Sequence, residues 1–181
     1  MAHHPDPASP LARILPGAPF TEWHTGVVEA PIERVWDALH HLCWSDLRVT
    51  KPLLLARGFG AGGLMDEGCL ETFWRVAAVE EQPPRDTLFA LVGKPWTLRG
   101  GSRPTASVAE VMAFGEPGWL KYGMEWRLTP LVGDRTFVET STLCLPTDAR
   151  AHRRFAAYWA LIRVGSGLIR RDMIAALRRL A

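Results

Sequence analysis

The sequence predicts an α+β fold in which an antiparallel β-sheet wraps around one long C-terminal helix. Three observations lead to this prediction. Apolar residues recur every three or four positions between Asp148 and Ala181, the spacing of an amphipathic helix. Apolar and polar residues alternate between Tyr122 and Leu128, as in a half-buried antiparallel strand. The chain opens with a strand, two short helices and a series of strands before that final helix.

The first strand is predicted over Phe20–Ala30 and ends at Pro31. Pro31 suits the first turn of a helix, where a missing N–H costs little, and the helix is predicted to end at Leu42. Its apolar residues at helical spacing are Val35, Trp36, Leu39 and Leu42. A second short helix is predicted from Asp46 to Arg57, with Ser45 as its cap.

The middle of the chain predicts a run of further strands. Pro83-Pro84 and Gly133-Asp134 are typical of turns between strands. Ser107–Phe114 is either a short helix or a turn. Four glycines in the six residues Gly58–Gly63 predict a flexible loop. A phosphate-binding loop is the alternative, but the segment lacks the lysine and the GxGxxG spacing of such loops. The four strands are predicted over Cys69–Glu80, Thr87–Trp96, Trp119–Pro130 and Thr136–Leu145.

The terminal helix has a glycine pair near its middle. At about 1.5 Å per residue this helix is about 50 Å long. Gly165 and Gly167 bracket Ser166, and each glycine costs about 1 kcal/mol relative to alanine inside a helix. We therefore expect a bend there or a close approach by another group. The apolar stripe consists of Phe155, Trp159, Ile162, Ser166, Ile169, Met173 and Leu177.

Composition places the chain among ordinary globular proteins. It has 181 residues, of which 48% are hydrophobic and 22% charged, with a net charge of +2. That charge does not predict nucleic-acid binding. Prolines crowd the beginning of the chain, so residues 1–18 are predicted to form a disordered arm and residues 19–181 a single domain. No apolar run is long enough for a membrane span.

Three cysteines are present, Cys43, Cys69 and Cys144. An odd number without CxxC spacing argues against a disulfide framework and against a structural zinc site. We therefore expect reduced thiols in a cytoplasmic protein. No signal peptide is visible at the N-terminus.

Two stretches carry a resemblance to a known superfamily. One is the strand and helix from Trp23 to Leu39, with its Ala-Pro-Ile-Glu-Arg-Val-Trp motif; the other runs from Val138 through the Tyr-Trp and Gly-Leu-Ile-Arg-Arg motifs to Met173. Together they resemble the SRPBCC superfamily, which includes START-like lipid carriers and polyketide cyclases. The second stretch is similar to an uncharacterised bacterial branch, but Glu139-Thr-Ser-Thr stands where that branch has Thr-Glu-Thr-Arg. The resemblance implies a helix-grip fold.

The superfamily resemblance also implies a function and a site. It implies an internal cavity between the sheet and the terminal helix, which binds a small lipid-like or polycyclic aromatic molecule as carrier or sensor. A cyclase or aromatase using the same cavity is the alternative, and a structural module with a filled core is a third. No catalytic set is convincing, and no cofactor or metal is expected. The predicted ligand-binding residues are Met124, Trp126, Phe137, Phe155, Tyr158, Trp159, Ile162, Arg163, Ser166 and Ile169.

His24 and Tyr158 are the candidate catalytic residues. His24 has the same strand parity as Val28, so it faces the cavity if Val28 does. It is then either a general base or a structural histidine bonded to a carboxylate such as Glu139. Tyr158 either offers its phenol to a ligand or fills space.

Arginines on the terminal helix suggest further partners. Arg163 is predicted to pair with a ligand carboxylate or with Glu125 or Glu139. The other arginines are predicted to form a solvated face, with at most peripheral membrane contact. His40 and His41 point about 100° apart on a helix and do not predict a metal site. A homodimer is possible from the sequence.

Overall fold

A computed structural model describes residues 9–52, 77–97 and 101–181 of the chain. These residues form the predicted α+β helix-grip fold, in which a curved antiparallel sheet packs against a long C-terminal helix. Its helices are α1 (Pro10–Ile14), α2 (Ile32–His40), α3 (Val108–Ala113) and α4 (Ala149–Leu180). Its strands are β1 (Phe20–Val28), β2 (Ala78–Gln82), β3 (Asp86–Lys94), β4 (Gly101–Arg103), β5 (Leu120–Leu131) and β6 (Arg135–Pro146).

The described strands pair in the order β1–β6–β5–β3–β2, and β4 pairs with β3. All these pairings are antiparallel, and their register aligns side chains in rows across the sheet. One row contains Glu22, Thr142 and Met124. The row beside it contains His24, Thr140 and Trp126. Because alternate residues of a strand share a face, both rows lie on the same face of the sheet.

That face, which we call the inner face, packs against α4. Trp126 is only 1% exposed, and Met173 and Leu177 of α4 belong to the same buried cluster. At the other end of α4, Phe155 packs edge-on against Phe20 with ring centroids 4.9 Å apart. The predicted alternation of β5 is confirmed. Tyr122, Met124, Trp126 and Leu128 all face α4 or its neighbours in the core.

The opposite, outer face of the sheet is covered by α1 and α3. Leu11 of α1 is fully buried in a cluster with Val111 of α3. The Leu11 amide donates to the buried Glu125 carboxylate at 3.0 Å, and the Ser141 hydroxyl donates to the same side chain at 2.6 Å. The prediction of a disordered arm is therefore wrong from Ser9 onward. The few apolar residues that stand among the prolines cover the outer face of the sheet.

The short helices after β1 differ from their prediction in part. α2 ends at His40, close to its predicted end, with Pro31 as its N-cap. A single 3₁₀ turn then covers Trp44–Asp46, and helical residues resume at Thr50. The Asp172 carboxylate of α4 accepts hydrogen bonds from the Thr50 amide and hydroxyl at 2.8 and 2.9 Å. The rest of the predicted helix, the glycine-rich loop and most of the strand predicted from Cys69 lie outside the described residues.

The thiol prediction is wrong for Cys43. Cys43 is disulfide-bonded, and its partner lies outside the described residues. Cys144 is free and buried, as expected. Three cysteines allow one disulfide and one free thiol, so the odd number did not exclude a single disulfide.

The terminal helix begins and continues as predicted. Asp148 caps it by accepting the Ala151 amide at 2.6 Å, and it also accepts the Gly118 amide at 2.7 Å. The helix continues without interruption through Gly165 and Gly167. Ser107–Phe114 forms α3 with flanking caps, which settles that open alternative. Among the described residues, no helix combines the length and apolar character that crossing a bilayer requires.

Candidate ligand-binding site

A polar cluster lies between α4 and β1, in a region otherwise surrounded by apolar side chains. At its centre is Glu22, whose side chain is only 9% exposed. One carboxylate oxygen lies 2.9 Å from His24 Nε2, and the other accepts the Ser166 hydroxyl at 2.5 Å. Both oxygens of Glu22 are therefore engaged, one with its own strand and one with α4.

The hydrogen bond to Glu22 fixes the tautomer of His24. A carboxylate only accepts, so Nε2 of His24 carries the hydrogen and Nδ1 of the neutral ring is left as an acceptor. The ring lies against α4 at Gly167, where an added Cβ would lie 3.6 Å from His24 Cε1 and 3.1 Å from Glu22 Oε1. A close approach is thus the reason for this glycine, as the sequence suggested.

Arg170 lies one helical turn beyond Ser166 on α4. Its Nη2 donates to Thr142 Oγ1 at 3.1 Å, and Nη1 lies 3.4 Å from the sulfur of Met173. Its Nε is buried, and no described residue places an acceptor within hydrogen-bond distance of it. Burial lowers the pKa of Arg170 to about 10, while the negative charge of Glu22 opposes that shift.

The inner face beside Arg170 supplies two more polar groups. The Thr140 hydroxyl is buried, and within the described parts of the chain it has no hydrogen-bond partner. Cys144 lies at the end of the same face of β6. Burial is the main cause that raises the pKa of Cys144, and burial likewise raises the pKa of the adjacent Tyr122. Both groups are therefore neutral at pH 7, and Cys144 is not an activated thiolate.

Aromatic rings lie near the start of α4, at one end of the strip between α4 and the inner face of the sheet that we call the groove. Phe155 is buried, and Trp159, Tyr158 and Trp96 lie around it with ring centroids 5.6, 6.0 and 6.1 Å away. Tyr158 is half-buried. The site thus combines an aromatic end at Phe155 with a polar end at Glu22 and Arg170.

The structure places most of the predicted site residues on this side of the sheet. Met124 and Trp126 lie on the inner face, and Ser166 belongs to the polar cluster. The remaining residues on the sheet-facing side of α4 are buried or half-buried, namely Phe155, Tyr158, Trp159, Ile162 and Ile169.

Two predicted site residues lie elsewhere. Phe137 pairs with Val27 one residue out of phase with Val138, so its side chain lies on the outer face. Arg163 is exposed, and its suggested partners Glu125 and Glu139 have outer-face parity. The sequence left open which face of each strand points inward, which accounts for Phe137 and for the suggested partners of Arg163. Arg163 itself is exposed because of its position on α4.

Four residues of the cluster were not predicted, namely Glu22, Thr140, Thr142 and Arg170. Glu22 has the same parity as His24, which was a usable signal. Arg170 is four residues from Ser166 and so shares its helix face, but it resembles the surface arginines around it.

His40 and His41, at the end of α2, lie outside the polar cluster. His40 lies 2.9 Å from both the Trp36 carbonyl and the Glu81 carboxylate, and it links α2 to β2. His41 lies 2.8 Å from the Asp37 carbonyl. In the described segments, no group of three or more His, Cys, Asp or Glu side chains is arranged to hold a metal ion.

Three surface depressions lined by described residues lie away from the polar cluster. One is at the start of α4 beside His152, one at its end beside Leu180, and one beside α1 at Arg13. The enclosed cavity implied by the superfamily resemblance therefore stays a prediction.

Comparisons with known proteins give only distant structural similarity. No protein-family model matches the chain, and no curated protein sequence does. A conserved protein from Geobacillus kaustophilus has 12% identity and a TM-score of 0.40, covering 88% of this chain and 93% of its own. The Zhui aromatase/cyclase from Streptomyces sp. R1128 has 14% identity and a TM-score of 0.37, covering 90% and 96%. CalU16 from Micromonospora echinospora has 14% identity and a TM-score of 0.31, covering 88% and 85%.

Proposed function

We propose that this protein binds a small, largely apolar molecule between α4 and the inner face of the sheet, as a carrier or sensor. The aromatic end around Phe155 and the apolar side chains of Met124 and Ile169 are the walls that such a molecule requires. The polar end at Glu22 and Arg170 orients it.

The observation that carries this proposal is a pair of buried polar atoms. Arg170 Nε and Thr140 Oγ1 lack partners among the described residues, although both belong to the inner side of the fold. Native proteins leave few buried polar atoms unsatisfied, because each costs about 1–3 kcal/mol. Polar atoms of a bound molecule beneath α4 would satisfy them.

Fluorescence of N-phenyl-1-naphthylamine, a neutral apolar probe, tests the proposal. We expect saturable binding with a blue-shifted emission to the wild-type protein. In Ile169→Trp, a larger side chain beside the core occupies part of the site and lowers the affinity by about tenfold or more. Leu161→Trp is the matched control, because Leu161 is 81% exposed on the far side of the same helix.

The result that overturns the proposal is also defined. If the wild-type protein does not bind the probe, the groove is a filled core and the chain is a structural module. If Ile169→Trp and Leu161→Trp reduce binding equally, the probe binds elsewhere on the protein.

A second candidate function, a polyketide cyclase-type enzyme, is favoured by the geometry of His24. Glu22 holds the Nε2 hydrogen, so Nδ1 is available to remove a proton from carbon next to a ketone. The resulting enolate carbon would attack a second ketone of the same chain, and loss of water would follow. The groove would contribute mainly by holding the flexible chain in a reactive conformation.

A linear triketone that absorbs in the ultraviolet only after ring closure tests this candidate. The expected result is ring closure by the wild-type protein that is slowed by about a hundredfold in His24→Ala and by less in Tyr158→Phe. Equal rates with the wild-type protein and with the variant carrying both changes would remove these residues from the mechanism.

A further inference from the structure

The most unusual feature of the site is a cation without a counter-ion. The guanidinium of Arg170 donates to a hydroxyl and lies near a thioether sulfur, and neither Thr142 nor Met173 is charged. No described carboxylate lies within ion-pair distance of it. Arg170 is half-buried with its Nε atom buried, and a charge withdrawn from water without a partner is unfavourable, so such charges are normally paired.

The carboxylate of Glu22, which acts electrostatically on Arg170, already accepts hydrogen bonds from other residues. Glu22 raises the pKa of Arg170 electrostatically, but its two oxygens are held by His24 and Ser166. These two bonds aim Glu22 at β1 and at the preceding turn of α4. Arg170 consequently keeps donors, Nε among them, for a group that does not come from the described residues.

The donors around Arg170 are suited to binding the anionic oxygens of an acid. An arginine presents its N–H groups in a planar fork that fits the two oxygens of a carboxylate. Thr140 and Thr142 are alternate residues on one face of β6, so they lie roughly 7 Å apart on the face that packs against α4. Each hydroxyl can donate to an oxygen anion.

We infer that the ligand of this site is an amphipathic acid, whose anionic oxygens pair with Arg170 while its apolar body extends towards Phe155. This inference rests on the proposed function, because it assigns the charge of the molecule that binds beneath α4. Fatty acids and aromatic carboxylic acids belong to this chemical class. The paired oxygens would supply the counter-ion that Arg170 lacks.

Two fluorescent probes that share one ring system separate this inference from the proposed function. 1-Anilinonaphthalene-8-sulfonate is N-phenyl-1-naphthylamine with a sulfonate added. We expect the wild-type protein to bind the anionic probe about tenfold more tightly than the neutral one. In Arg170→Met the affinity for the anionic probe falls about tenfold relative to that for the neutral probe, so the preference disappears.

Arg171→Met is the matched control. Arg171 is the next residue of α4 and is exposed, so its removal lowers the net charge equally without touching the site. Its preference for the anionic probe equals that of the wild-type protein. If Arg171→Met loses the preference as Arg170→Met does, the probe senses only overall charge and the inference is overturned.

Competition on the wild-type protein repeats the test without any variant. Decanoate and decanol have the same chain length and differ in charge. Decanoate displaces the neutral probe at about tenfold lower concentration than decanol if the inference is correct. If decanoate and decanol displace the probe equally well, the inference of an acidic ligand is overturned, whereas the proposed binding of an apolar molecule is not. Failure of both the neutral probe and the two competitors to bind overturns the proposed function itself.

Discussion

Ser166 donates a hydrogen bond of 2.5 Å to Glu22, and this bond joins the centre of α4 to the first strand of the sheet. The two residues are 144 positions apart in the chain. Because Glu22 also accepts from His24, one carboxylate sets both the helix position and the histidine tautomer. The polar cluster is therefore part of the fold as well as of the site.

Glu22→Gln is expected to destabilise the protein by about 1–3 kcal/mol. A glutamine has one accepting oxygen, so either His24 or Ser166 loses its acceptor. In a Ser166→Ala background only His24 needs that oxygen, and the same change costs less. Urea unfolding of the four proteins in this double-mutant cycle measures the difference. Strictly additive costs would show that the three groups do not share the carboxylate.

Gly26 of β1 allows α4 to approach the sheet closely. A Cβ at this position would lie 2.6 Å from Cγ2 of Ile174 and 3.1 Å from Nη2 of Arg178. Gly26→Ala is expected to displace α4 and to cost about 1–3 kcal/mol in thermal unfolding. Gly101→Ala is the control, because no atom of a described residue lies within 4 Å of a Cβ added there. Equal stabilities of the two variants would mean that α4 adjusts freely.

The cap of α4 makes part of the stability dependent on pH. Hydrogen bonds from the Ala151 and Gly118 amides lower the pKa of Asp148 below its ordinary value of 3.8. A carboxyl with a lowered folded-state pKa contributes stability above its unfolded pKa and loses it as the pH falls through the folded one.

Asp148→Asn isolates this effect from the other carboxylates. Asparagine keeps the cap but does not titrate. We compare the thermal unfolding midpoints of the wild-type protein and of Asp148→Asn as the pH is lowered. Their difference is expected to be constant at neutral pH and to change only below about pH 4, where the wild-type protein loses stability relative to the variant. A difference that stays constant down to pH 2 would show that Asp148 does not titrate with folding.

The main strands and the terminal helix could be predicted from local patterns, whereas α1, β4 and the polar cluster could not. The periodicity of α4 and the alternation in β5 depend on neighbouring residues, and both predictions are confirmed. The cluster depends on how α4 lies against β1, which brings Glu22 to Ser166 across most of the chain. In the sequence Arg170 cannot be distinguished from the exposed arginines around it, because its role depends on where α4 lies against the sheet. The burial of Leu11 depends in the same way on distant Glu125.

Arg170 is expected to reduce stability in the absence of a ligand. Burial lowers its pKa to about 10, which means that the folded protein at pH 7 holds the charged form at a cost. That cost is present below about pH 10 and is relieved as the pH rises through that value, because the folded-state pKa lies below the unfolded one.

Arg170→Met should therefore raise the thermal midpoint at pH 7 by a few degrees, about 1 kcal/mol in stability. Methionine fills similar space without charge, and the hydrogen bond to Thr142 is a smaller loss than the removed desolvation cost. Arg171→Met, at an exposed position, should leave the midpoint unchanged. Decanoate should stabilise the wild-type protein and not Arg170→Met, since only the wild-type protein holds a cation to pair with it. A lower midpoint for Arg170→Met without ligand would show that the arginine is a structural part of the core.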